Sequence, residues 1–123
     1  MRTLLLCVLA LCSHVMSMTA QVTGRIEYPY RADYEDQLVL PIGDKGLVIQ
    51  SFAKDSKAGK RYFKTEFYST MMNPVSTDSM LIDKGMYYYS NIVDNGVLYT
   101  VLRESDGTFM IVAFNATTHK ITV

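Results

Sequence analysis

From Met86 to Val123 the chain alternates short apolar runs with turn residues. MYYYSNIV is followed by DNG, VLYTVLR by ESDG, TFMIVAFN by ATTH, and KITV closes the series. The runs are rich in β-branched and aromatic residues, which suit a pleated, half-buried surface. Asp94-Asn95-Gly96 and Ser105-Asp106-Gly107 tolerate the positive φ angles of tight antiparallel connections. The pattern predicts a four-stranded antiparallel meander over residues 84–123.

Residues 37–83 give a less regular version of the same thing. Gln37–Ile42 is a strand candidate interrupted by Pro41, followed by the turn Gly43-Asp44-Lys45-Gly46 and the apolar strand Leu47–Ala53. Lys54–Lys60 reads as a loop. In Arg61–Tyr68 a period of two puts Phe63, Thr65 and Phe67 on one face and Tyr62, Lys64, Glu66 and Tyr68 on the other, so the second face is expected to be the wetter one. Ser69–Asp78 contains Asn73-Pro74 and several hydroxyl residues and reads as a longer connection before a short run, Ser79–Ile82. Residues 21–36 are polar and aromatic without a sustained period, and Pro29 removes a ladder donor, so they read as an irregular lead-in.

The two halves superpose on one another. Gly46–Phe52 lies over Gly96–Leu102, Gly59 over Gly107, and Phe67–Thr70 over Phe114–Thr117, at offsets of 50, 48 and 47 that shorten as the loops do. A period near 50 with four strands per unit resembles the blades of secreted β-propeller repeat proteins of the kelch type. The resemblance is architectural and covers about Gln37 to Val123. The double glycines of kelch repeats are missing, and so is the Trp-Asp pair of other blades, since the chain has no Trp. It implies an all-β fold of two antiparallel four-stranded meanders. Because a propeller closes with about four to eight blades, it also implies one of three arrangements: two blades of a longer chain, assembly between copies through exposed blade edges, or a small sandwich or open sheet. An end within a strand, at Thr122-Val123, favours the first.

The N-terminus changes the compartment. Arg2, the apolar stretch Leu4–Leu11 and Met18-Thr19-Ala20 form a signal-peptide pattern over residues 1–20, too short for a transmembrane span. Export to the periplasm, the cell surface or the medium is expected. Leu11 is bulky where a lipoprotein box has a small residue, so Cys12 is not read as a lipid anchor. Cys7 and Cys12 both fall inside this segment, and its removal leaves a chain of 103 of the 123 residues without cysteine, which excludes a disulfide framework. Losing Arg2 from a balance of 12 basic and 12 acidic residues leaves one net negative charge, no footprint for nucleic acid. The basic residues between Lys54 and Lys64 are expected to form a solvated, edge-protecting hairpin tip.

Candidate chemistry is sparse. The mature chain has a single histidine, His119, placed in a turn, and no phosphate loop, zinc-protease helix or nucleophile elbow. No cofactor is implied and no catalytic set can be named. Asp33, Glu35 and Asp36 lack the spacing of a calcium loop. Asn115-Ala116-Thr117 fits a glycosylation triplet. The candidate contact residues are tyrosines: Tyr28, Tyr30 and Tyr34 in the lead-in and Tyr87, Tyr88 and Tyr89 in succession. Consecutive residues on a strand point to opposite faces, so at least one of the three is directed outward. A flat apolar ring with a polar tip suits a sugar or a protein surface, but packing between blades, where tyrosine fills space, is the favoured reading. The leading expectation is a non-enzymatic exported binding module for a protein or glycan. The alternatives are the N-terminal part of a secreted propeller enzyme and a self-associating envelope protein.

Overall fold

A computed structural model describes residues 32–123. The expected signal peptide, residues 1–20, and most of the lead-in, with Tyr28 and Tyr30, lie outside the described residues. The chain is all-β, two four-stranded antiparallel meanders, open rather than closed. The first contains β1 (Tyr34–Pro41), a 3₁₀ turn at Gly43–Lys45, β2 (Leu47–Ala53), β3 (Lys60–Tyr68) and β4 (Pro74–Asp83). The second contains β5 (Tyr87–Asp94), β6 (Val97–Arg103), β7 (Phe109–Asn115) and β8 (Lys120–Thr122). Each sheet keeps its strands in sequence order.

Local chemistry explains where the strands stop. Asn95 and Gly96 have φ of 48° and 76°, the paired positive values of a two-residue hairpin between the partners Asp94 and Val97. Gly46 has φ of 132°, and a Cβ there would stand 2.0 Å from the Tyr68 carbonyl oxygen, so β2 can begin beside β3 only with glycine at that point. Two boundaries differ from the sequence reading. β1 starts at Tyr34, inside the expected lead-in, and carries an irregularity between Glu35 and Leu38 where Asp36 takes φ of 50°. β4 starts at Pro74, so the connection from β3 is only Ser69–Asn73. Proline is tolerated as the first residue of a strand that has no further neighbour, and the hydroxyl residues that suggested a loop occupy a strand whose far edge is unpaired.

The sheets stack face to face in the same order and direction. Val48, Phe67, Leu98, Phe114 and Ala116 form one buried cluster with Ile42, and Phe52, Phe63, Leu102 and Val112 form another with Ile82 and Met86. β2 therefore faces β6 and β3 faces β7, while β4 lies beside β8, where Asp78 Oδ2 accepts the Ile121 N–H at 3.1 Å. Ring pairs fill the two clusters, Phe52 with Phe63 at 5.2 Å and Phe67 with Phe114 at 5.4 Å between centroids. Between the clusters runs a polar belt in which Thr100 Oγ1 donates to Gln50 Oε1 at 2.8 Å. These two residues are separated by the repeat offset of 50. Strict repeats stacked in one order would turn opposite faces toward each other, so the second sheet is set one residue out of phase in its pleat.

Arg61 fastens one end of the interface. Its Nη1 donates to Glu35 Oε1 and its Nη2 to the Met86 carbonyl, both at 2.5 Å, and its guanidinium carbon lies 4.3 Å from the centre of the Phe52 ring. One side chain thus ties β1, β3 and the β4–β5 link together. The expected solvated tip is accordingly smaller than the sequence suggested. Lys54, Lys57 and Lys60 are exposed, but Arg61 turns toward the second sheet and Lys64 is buried on the outer face of the first. The expected wetter face of β3 is also corrected, because Lys64 and Glu66 are buried as an ion pair at 3.0 Å, with side chains only 7% and 10% exposed. Pairing makes burial of both charges tolerable, and the Tyr34 ring lies 4.6 Å from the Lys64 ammonium.

Candidate functional site

Strand register turns the outer side of the second sheet into a grid. Asp94, Val97, Asn115 and Lys120 lie in one row across β5, β6, β7 and β8. Ile92, Tyr99, Ala113 and Thr122 form the next, then Ser90, Val101 and Ile111, and finally Tyr87, Arg103 and Phe109. All of these alternate with Leu98, Thr100, Leu102, Val112 and Phe114, which face the first sheet. The grid is apolar and partly open to solvent: Ile92 at the β5 edge is 64% exposed, Ile111 55% and Phe109 in the last row 53%, around the half-buried Tyr99, Val101 and Ala113. Isolated exposed apolar residues are ordinary, whereas a contiguous face of them marks a contact surface.

One corner of the grid is organised further. The register of β5 shifts between Tyr88 and Ser90, leaving Tyr89 outside the ladder. Its ring meets Phe109 edge-on at 5.6 Å and 77°, and the Arg103 guanidinium lies 5.5 Å from the Tyr89 ring and 5.3 Å from Phe109. Arg103 Nε is buried without a partner among the described residues. An arginine held between two aromatic rings keeps a planar set of donors in a fixed place, the composition found where interfaces concentrate their energy.

The tyrosines named from the sequence are divided by this geometry. Tyr87 and Tyr89 stand on the outer face of the second sheet. Tyr88 points the other way, against the inter-sheet cluster, with its hydroxyl bonded to Asn91 Nδ2. Tyr34 lies on the first sheet beside Lys64 and joins neither. Sequence reasoning missed Ile92, Tyr99, Arg103, Phe109 and Ile111. A signal was present: VLYTVLR and TFMIVAFN are apolar on both faces, as strands covered on both sides are.

Other candidates offer less. Glu35 is engaged by Arg61, and among the described residues no group of three or more His, Cys, Asp or Glu could hold a metal ion. His119, in the turn before β8 with φ of 59°, packs its ring on Phe67 at 5.4 Å. Asn115 Oδ1 accepts the N–H groups of Thr117 and Thr118, so the side chain of the glycosylation triplet closes its own turn. A cavity of about 490 Å³ opens at the β2–β3 tip, lined by Ala53, Lys57, Tyr62 and Leu81 among others. Two of its cations are already paired, Lys60 with Asp83 at 2.6 Å and Arg61 with Glu35. No described helix is long and apolar enough to cross a membrane. No family model, curated protein or solved structure matches this chain.

Proposed function

We propose that the chain is an exported, non-enzymatic binding module whose second sheet presents its outer face to a protein or glycan partner. The observation that carries this reading is the open grid around Val101 and Ile111 with the Tyr89–Arg103–Phe109 corner at its end. Leaving such a face in water forgoes burial of about 25 cal/mol for each Å² of apolar surface, an energy that a partner recovers on covering it. The breadth and flatness of the face suit a protein better than a single sugar ring. Export rests on Arg2, Leu4–Leu11 and the small residues before Gln21.

A second reading draws on the stacking. Two meanders placed in the same order and direction are what consecutive blades of a longer propeller would look like, and the outer face would then belong to the next blade, with any catalytic residues elsewhere.

Binding of the full chain to a glycan array and to extracellular protein fractions tests the module. Tyr89→Ala, Phe109→Ala and Ile111→Lys are expected to abolish whatever binding the unaltered chain shows. Val39→Lys, at an exposed position of β1 on the first sheet, is expected to leave it intact. Binding that all four substitutions leave alike would remove the face from the function.

A further inference from the structure

We infer that the partner of this face is a second copy of the chain, docked through the same grid about a two-fold axis parallel to the strands between β6 and β7. The inference rests on the binding-face reading above and names its occupant. Rotation about an axis along the strands preserves height along the sheet, so each row of one copy meets the same row of the other with its edges exchanged. In the first row Asp94 stands at the β5 edge and Lys120 at the β8 edge, both exposed. Edge exchange sets Asp94 of each copy against Lys120 of the other and forms two ion pairs. In the last row Arg103 meets Phe109 of the other copy twice, adding to the ring contacts it already makes. Between them the apolar rows close on themselves, Tyr99 against Ala113 and Val101 against Ile111, large against small in the first case.

The other in-plane axis, across the strands, gives no such match. It would lay Asp94 on the Tyr87 row and leave Lys120 opposite no acid. A face that is self-complementary about only one axis has the property that an isologous dimer requires. β5, β6 and β7, seven or eight residues long and about 4.8 Å apart, with the three-residue β8 along part of one edge, make a patch of at most about 20 by 20 Å. The two copies would bury on the order of 800 Å² in all, below the range of stable interfaces, so the dimer should be weak, forming only toward high micromolar to millimolar concentration, and should exchange readily.

Sedimentation equilibrium of the full chain from micromolar to millimolar concentration tests this, with circular dichroism confirming that each variant keeps its strands. A monomer–dimer equilibrium is expected. Ile111→Lys should leave only monomer. Asp94→Lys and Lys120→Asp should each weaken the dimer about tenfold, because each sets two like-charged pairs together. The double variant Asp94→Lys/Lys120→Asp should restore the dimer. A chain that stays monomeric throughout overturns the inference. So does a dimer indifferent to both charge reversals, or open-ended assembly, which would give the face to a further sheet. A monomer that still binds another partner in an Ile111-dependent manner would sink the second copy and leave the binding face standing.

Discussion

The outer faces of the two sheets are built on the same strand order, yet they solve opposite problems. On the first sheet Ile49, Ser51, Lys64 and Glu66 are all buried, two of them carrying charge. On the second, Ile92, Phe109 and Ile111 are more than half exposed, and the charged residues stand at the margins. The face that composition marks as wet is dry, and the face that composition marks as core is wet. Charge can be buried when it is paired at 3.0 Å, as Lys64 and Glu66 are. Apolar surface left open has no comparable internal remedy, and its remedy has to come from a partner. The contrast is what motivates the proposed contact role of the second sheet, while burial is concentrated on the inner interface and the first sheet.

The largest effects should come from the inner interface that both sheets share. Phe67→Ala removes a ring that meets Phe114 and lies in the same cluster as Val48 and Leu98, and should cost about 4 kcal/mol in urea unfolding. A loss below about 1 kcal/mol would mean that the sheets are not held together by this cluster.

Next comes the first outer face. Lys64→Ala leaves the Glu66 carboxylate buried without its ammonium and should cost about 3 kcal/mol, whereas Lys64→Met with Glu66→Leu should lie within about 1 kcal/mol of the unaltered chain. Equal losses from the single and the double variant would show that the pair contributes net stability and would break the comparison. The second outer face should respond least to truncation: Phe109→Ser or Ile111→Thr should change the unfolding free energy of the isolated chain by no more than about 0.5 kcal/mol. These side chains stand more than half in solvent and are not part of the core.

Much of this was legible in the sequence and some of it was not, for identifiable reasons. The second meander was readable almost residue by residue, because Asn95-Gly96 and Asp106-Gly107 punctuate runs that have no other plausible structure. The first was blurred where polar residues occupy strands: β4 from Pro74 and β1 from Tyr34 lack an apolar alternation to announce them. The repeat offset of 50 placed β2 and β6 correctly, but could not reveal that Gln50 and Thr100 would face each other, since facing depends on the phase of the pleat in the stack. Of the tyrosines, Tyr87 and Tyr89 lie on β5 at the end of the exposed face. The rest of the face escaped because Phe109 and Ile111 look like core until the register shows that nothing in the described fold stands over them.

The smallest predicted effect separates two equivalent turns. The β2–β3 turn closes by backbone alone, with Ala58 and Gly59 at φ of 51° and 73° between Lys57 and Lys60, whose N–H and carbonyl groups bond to each other. In the β6–β7 turn the Asp106 carboxylate accepts the Thr108 N–H at 2.8 Å, and this bond, with that from the Thr108 hydroxyl, holds the carboxyl below its ordinary value. A depressed folded-state value means that the charged form stabilises the native chain. The contribution is fully present above the unfolded value and is lost as the pH falls through the folded one. The stability difference between the unaltered chain and Asp106→Ala should therefore be flat from neutral pH down to the usual aspartate range and narrow below it. A change in the first turn that removes no carboxylate, Ser56→Ala, should show no such narrowing. A gap for Asp106→Ala that stays constant to the acid limit would mean that the side chain closes the turn no better charged than neutral.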